Sequence, residues 1–402
     1  MYKRTYLIVL FLITFGYAKN VYTAPLMTND VLLILTAVWG VFGWVYYKKE
    51  SVNYLNTTEN RAVVWWLMII MILSLFVPYF KYDQSIVDAF FSQRFNYSIL
   101  LLLLFFRINI SYDDFFYALR ICSYLSLACF IFSIFSPDFF IEKSVLVEST
   151  YSRIEHSSTD IGYAAPGFSL VIFYLYIKIA QLIDYADFRT FVETSIFMLY
   201  VIMFQNRSTI LGTLPFFAMV LLFQKGRRKY IFWTIGAVII FALLPFLSKI
   251  YDSLIFETQI QLYDDDYPRW QAIKVFLYEK KTFFIEYILG SGIWSKTGTY
   301  SMMMNKAAQY KGAQISDIGW LGTFYYYGII PLIILFVFIK KAIVNTNVPY
   351  FLKFYALWII FVPTIHGFLL NALSLNIIIV IFFYFTTYFS TYTDERVRLL
   401  LR

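Results

Sequence analysis

By type and position in the chain, Arg153, Arg207, Arg269 and Asp317 stand out as side chains able to grip an anion or move a proton. A guanidinium is planar and permanently charged, and its fork of donors matches phosphate or pyrophosphate bidentately. Arg207 lies in the minimal turn Gln205-Asn206-Arg207-Ser208-Thr209 between two apolar segments. A charge at that depth is expensive unless it is paired or lines a wet cavity, so a functional role competes with simple snorkelling to the headgroups. Arg153 and Arg269 fall in the two long polar stretches, where each taken alone also suits a surface ion pair with Glu148 or Asp266. Asp317 opens an apolar run. A carboxylate there is either a helix N-cap or, where a half-apolar setting raises its pKa, a group able to accept a proton from a hydroxyl.

Other chemistries find little material. Cys122 and Cys129, the only two cysteines, are seven residues apart in one apolar segment. That is about 10 Å along a helix, beyond disulfide reach, so they read as small packing residues. His156 and His366 are too few and too far apart to suggest a zinc centre, and no Gly-rich nucleotide loop is present. The run Asp264-Asp265-Asp266 lacks the spacing of a calcium loop and reads as the solvated start of a helix, with Pro268 near its first turn. Metal and cofactor are therefore both expected to be none. Trp270 is either a platform for a sugar ring or a packing residue.

These residues are strung on a chain of membrane composition. Of 402 residues, 60% are hydrophobic and 14% charged, with mean hydropathy +0.65. An ordinary soluble domain carries about a quarter charged residues. Apolar runs of spanning length occur at 31–47, 62–80, 164–183, 230–247 and 318–339, with a further one at 115–135. Shorter ones lie at 6–18, 97–106, 190–204, 210–223, 351–366 and 373–389. Since about 20 apolar residues in a helix cross the hydrocarbon, and a helix satisfies its own backbone there, the expectation is an all-α polytopic membrane protein with about twelve transmembrane helices. The whole chain, 1–402, reads as a single membrane domain. Lys3 and Arg4 precede the first apolar run, but no small-x-small cleavage pattern follows it, so a retained helix is expected rather than a signal peptide. No internal repeat is evident, which weakens an inverted-repeat transporter architecture.

Basic residues set the expected orientation. Counted over alternate loops, one side collects Lys48, Lys49, Arg61, Arg107, Arg189, Lys225, Arg227, Arg228, Lys229, Lys340, Lys341, Arg396 and Arg398, and the other far fewer. By the positive-inside rule both termini are cytoplasmic, and the loops at 136–163 and 248–317 face outward. The net charge of +8 belongs to that cytoplasmic rim and implies no nucleic-acid partner. Within the long loop, residues 269–281 place Trp270, Ile273, Phe276 and Leu277 on one side, as an amphipathic helix would. Gly290-Ser291-Gly292 then marks a sharp turn.

The order of these pieces resembles a known group. Asn206-Arg207-Ser208-Thr209 precedes a span. The outer loop carries Arg269-Trp270-Gln271-Ala272 and Leu289-Gly290-Ser291-Gly292, then closes on Ser316-Asp317-Ile318-Gly319-Trp320-Leu321. Tyr327-Gly328-Ile329-Ile330-Pro331 follows within the span. This is similar to the O-antigen ligase and polymerase superfamily, and most to the Wzy-type polymerases of O-antigens, capsules and exopolysaccharides. The likeness covers the last half of the chain by motif and the whole by layout.

The resemblance implies a metal-independent glycosyltransferase of the bacterial cytoplasmic membrane. The donor would be a growing glycan on undecaprenyl pyrophosphate, and the acceptor a sugar hydroxyl of the next lipid-linked unit. A chain-length regulator would be a partner. Arg207 and Arg269 would hold the lipid pyrophosphate, with Arg153 carried over more weakly. Asp317 stands where many ligases carry histidine, which disfavours a ligase acting on lipid A core. A lipid-linked oligosaccharide flippase is the rival from another class. A carrier is expected to place charge within its spans, and here that charge is sparse: Arg120, Lys178 and Lys353.

Overall fold

The structure, a computed structural model, describes residues 2–20, 22–23, 26–47, 58–136, 139, 166–184, 187–203, 212–213, 268–279, 283–295, 298–311, 313–361 and 372–391. Every regular element among them is helical. The first half contributes α1 (Tyr2–Thr14), α2 (Asn29–Tyr46), α3 (Thr58–Leu73), α4 (Phe76–Tyr82), α5 (Ile86–Ser92), α6 (Leu101–Ile108), α7 (Tyr112–Phe135), α8 (Phe168–Asp184) and α9 (Phe188–Met203). The second half contributes α10 (Pro268–Ile273), α11 (Ile285–Leu289), α12 (Thr299–Lys311), α13 (Gly319–Tyr327), α14 (Ile329–Val344), α15 (Tyr350–Phe361) and α16 (Leu373–Thr391). The 210–223 and 230–247 runs lie outside the described residues.

Among the described residues, four stretches are long and apolar enough to cross a membrane: Asn29–Tyr46, Arg61–Tyr82, Tyr112–Phe135 and Leu373–Thr391. Ile86–Ser92 with Arg94–Ile108 makes a fifth if that pair, bent by 63°, is one span. The described residues are thus all-helical in their regular structure, with apolar helices of membrane-spanning character.

Several apolar runs are interrupted where a hydropathy window is blind. Pro78 has no N–H to return to the Ser74 carbonyl four residues back, and the stretch Arg61–Tyr82 is interrupted at Ser74–Leu75, between α3 and α4. The 318–339 run is not one helix either: Gly328, at φ 72°, separates α13 from α14. The 97–106 run begins as the 3-10 turn Arg94–Leu100 and becomes α6.

The centre of the bundle is built from α8 and α16. From Leu170 to Ala180 α8 is buried on every side, packed among α7, α9, α15 and α16. In α16, every residue from Asn376 to Phe389 is buried. A helix apolar all round belongs in a core. By contrast α2 keeps much of its apolar surface outward, with Ile34, Val38, Val41 and Val45 exposed.

Polar contacts group the helix ends into two sets. At one end Arg4 Nε pairs with Asp114 Oδ1 at 2.8 Å, Lys3 Nζ donates to the Asn109 carbonyl at 3.2 Å, and Arg107 Nε donates to the Tyr47 carbonyl at 3.2 Å. At the other end Arg94 pairs with Asp30 at the start of α2.

Candidate functional site

The polar layer beneath the long loop grows from the last turn of α13, the triplet Tyr325-Tyr326-Tyr327. Its backbone is met edge-on by the turn after α11. Ser291 N–H donates to the Tyr325 carbonyl at 2.6 Å, and Gly292 N–H donates to the Tyr326 carbonyl at 3.0 Å. Two glycines allow this approach. A Cβ on Gly290 (φ +77°) would stand 2.1 Å from the Tyr326 carbonyl oxygen, and one on Gly328 (φ +72°) 2.0 Å from the Ile288 oxygen. Only glycine combines that backbone angle with that lack of bulk. Gly290 and Gly328 come from two separate sequence motifs, and in the fold they are the two halves of one crossing.

The turn is then fastened to the end of α4. Gln84 clamps it from both sides: its Nε2 donates to the Ile293 carbonyl at 3.0 Å, and its Oε1 accepts from Ser295 N–H at 2.9 Å. Lys81 Nζ lies 2.8 and 2.9 Å from the two oxygens of Glu286. The same carboxylate accepts from Ser291 Oγ at 2.9 Å and from Phe283 N–H at 2.8 Å. Glu286 is wholly buried, and this set of donors is what a buried carboxylate requires.

A column of phenols stands beside that pair. Tyr82 and Tyr300 stack with ring centroids 3.9 Å apart. The Tyr300 hydroxyl lies 3.1 Å from that of Tyr325 and donates toward the Ser291 and Gly292 carbonyls at 3.2 and 3.3 Å. Burial holds the Tyr300 phenol well above the ordinary phenol range, so it is a neutral donor. On the far side of the triplet, Tyr327 accepts from Asn96 Nδ2, and Asn376 Nδ2 donates to Asn96 Oδ1 at 2.6 Å.

Of the four residues singled out by chemistry, the structure describes two. Arg269 is half-buried in α10. Asp317 lies in the 3-10 turn Ile315–Ile318, against which α10 packs. The two elements that carry them are therefore neighbours above α13, although 48 positions separate the residues in sequence. Asp317 is not the N-cap of α13; Ile318 holds that place, with no side-chain cap bond. Arg153 and Arg207 lie outside the described residues.

The helix after Asp266 differs from the periodicity expected of it. Beyond Ile273 the chain widens into a π-helix, Lys274–Glu279. The wider turn changes which positions share a face. Ala272, Val275 and Phe276 are buried, while Trp270 is 48% exposed. Phe276 meets the Tyr325 ring at 5.0 Å and stacks near Trp294 at 6.1 Å. Trp270, two positions before Ala272 and so on the opposite side of the helix, keeps an open face instead of sharing a buried side with Phe276.

Sequence reasoning passed over Lys81, Gln84 and Glu286. A signal for one of them exists: Glu286 is the lone charge in the apolar stretch 283–289. It also missed the partner of Lys178. In the bundle Lys178 Nζ is 2.9 Å from Glu193 Oε2, and Tyr124 donates to Glu193 Oε1 at 2.7 Å, with Tyr174 on the same oxygen. Both cysteine thiols are free. Among the described residues no three His, Cys, Asp or Glu side chains are grouped to hold a metal ion.

Compared with protein-family models, curated proteins and solved structures, the chain matches none.

Proposed function

We propose that this protein is a membrane glycosyltransferase that polymerises lipid-linked oligosaccharide repeat units in O-antigen, capsule or exopolysaccharide synthesis. The observation that supports this most is the packing of α10, which carries Arg269, against the turn that carries Asp317. A cation able to take pyrophosphate and a carboxylate able to take a proton are thereby supported by one ledge, beside apolar helices from which a lipid substrate would approach.

In this reading the glycan on undecaprenyl pyrophosphate is the donor. The anomeric carbon–oxygen bond breaks, the pyrophosphate leaves with the electron pair, and a sugar hydroxyl of the next unit forms the new glycosidic bond. Arg269 and Arg207, with a lesser share from Arg153, stabilise the charge growing on the leaving group; fixed donors in a water-poor site are effective at this. Asp317 takes the hydroxyl proton. About twelve spans, cytoplasmic termini and an outward-facing 248–317 loop complete the picture, as the distribution of basic residues expects.

A second reading has its own observation. The buried Lys178–Glu193 pair puts opposite charges inside the helical bundle, which is where a carrier for lipid-linked glycans would use them. Reconstitution decides between the two. Protein in vesicles with purified lipid-linked repeat units should yield a ladder of longer glycans still attached to lipid. Movement of units between leaflets with no ladder would overturn the polymerase and favour the carrier, and transfer only onto added lipid A core would favour a ligase.

A further inference from the structure

Residues 283–287 are inside out for a segment surrounded by water. Phe284 is 79% exposed, and Phe283, Ile285 and Tyr287 are exposed beside it, whereas Glu286, the one charged residue among them, is fully buried. In water the preference runs the other way, with the carboxylate solvated and the rings turned under. The inversion is built in: Lys81 takes the Glu286 carboxylate, and its Nζ lies 5.4 Å from the Phe283 ring centroid and 5.0 Å from that of Tyr82. Both charges are thus withdrawn beneath an uncharged aromatic surface.

That surface is continuous with α4. Phe80, next to Lys81, is 78% exposed, and Tyr79 and Phe76 are exposed on the same helix, the end of the apolar stretch Arg61–Tyr82. We propose that residues 283–287 are immersed in the lipid of the leaflet that meets the candidate site, with acyl chains against Phe283, Phe284 and Ile285. The long loop is then partly a membrane element, and the Gly290–Gly328 crossing stands beside hydrocarbon, where a lipid-anchored ligand arrives sideways. The proposal rests on Arg61–Tyr82 spanning the bilayer, and on nothing about the reaction catalysed.

Nitroxide labels at single cysteines test it, placed at Phe284, Phe80 and Met302 with Cys122 and Cys129 replaced by alanine and the full chain reconstituted in phospholipid vesicles. Met302 is 59% exposed on the polar helix α12 and reports water. The label in Phe284→Cys should match that in Phe80→Cys, relaxed more by oxygen than by a water-soluble nickel chelate, with the order reversed in Met302→Cys. A Phe284 label as open to nickel as the Met302 label, with Phe80 still in lipid, overturns the immersion alone. Nickel access at Phe80 as well overturns it together with the spanning role of α3 and α4.

Discussion

At the residue scale, Arg269 carries the sharpest expectation. A pyrophosphate leaving group gains charge as its bond breaks, so a guanidinium against it favours the transition state over the ground state. Lysine keeps the charge and loses the planar fork; alanine loses both. Arg269→Ala is expected to abolish polymer formation in reconstituted vesicles at near-normal protein abundance, with Arg269→Lys restoring a part. Such contacts are worth about 2 to 4 kcal/mol, or roughly 30- to 1000-fold in rate. Arg207→Ala should act alike, and Arg153→Ala less. Full activity in both Arg207→Ala and Arg269→Ala would remove the pyrophosphate role. The Lys81–Glu286 pair makes a different prediction, of stability. Glu286→Gln leaves a nearly buried ammonium without its counter-charge, which typically costs about 3 to 5 kcal/mol. Replacing both partners at once, as Lys81→Met with Glu286→Leu, should recover most of the loss in thermal unfolding in detergent, because no orphaned charge remains.

At the scale of elements, the glycine crossing gives a comparison with an internal control. Gly298 has φ +97° and nothing within 4 Å of a would-be Cβ, whereas Gly328 has φ +72° and a carbonyl oxygen at 2.0 Å. Alanine at Gly298 meets backbone strain alone, of order 1 to 3 kcal/mol. Alanine at Gly328 meets strain and collision together. Limited proteolysis of the 283–311 region should therefore accelerate strongly in Gly328→Ala and mildly in Gly298→Ala; equal behaviour would mean that the crossing does not hold the loop. Alkali should release the same region. The Tyr300 phenol ionises near 10 when unfolded and well above that when folded, so its contribution is complete below pH about 10 and declines as pH rises beyond it. Proteolysis that is flat up to pH 11 would contradict this.

These elements also mark what could be read from the chain alone. The apolar runs show in composition, and so do the motifs around Gly290, Asp317 and Gly328, because length, polarity and residue type are local properties. That Gly290 meets Gly328, or that Glu286 turns inward to Lys81 from 205 positions away, depends on the path of the backbone between them. Nor does a hydropathy window register a single positive φ at Gly328, or which side of the segment after Pro268 meets the core, with Val275 inward and Trp270 outward.

At the scale of the whole molecule, orientation decides whether the candidate site meets its substrate. The helix ends fall into two sets by their ion pairs, Arg4 with Asp114 at one and Arg94 with Asp30 at the other. Within α14, Lys340 and Lys341 lie at the far end from Gly328, so the lysine-bearing end and the loop-bearing end are on opposite sides if α14 crosses the bilayer. Basic residues are retained on the cytoplasmic side during insertion, so the expectation is that the Lys340 end is inside and α12 outside. Lys340 and Met302 are both exposed, so each can report its compartment. In sealed bacterial cells, with Cys122 and Cys129 replaced by alanine, a membrane-impermeant maleimide should label Met302→Cys and leave Lys340→Cys untouched until the membrane is opened. The reverse pattern would place the Arg269–Asp317 ledge in the cytoplasm. Lipid-linked units exported for polymerisation would then never meet it, and the proposed reaction would have to be abandoned even if every side chain sat where it is described.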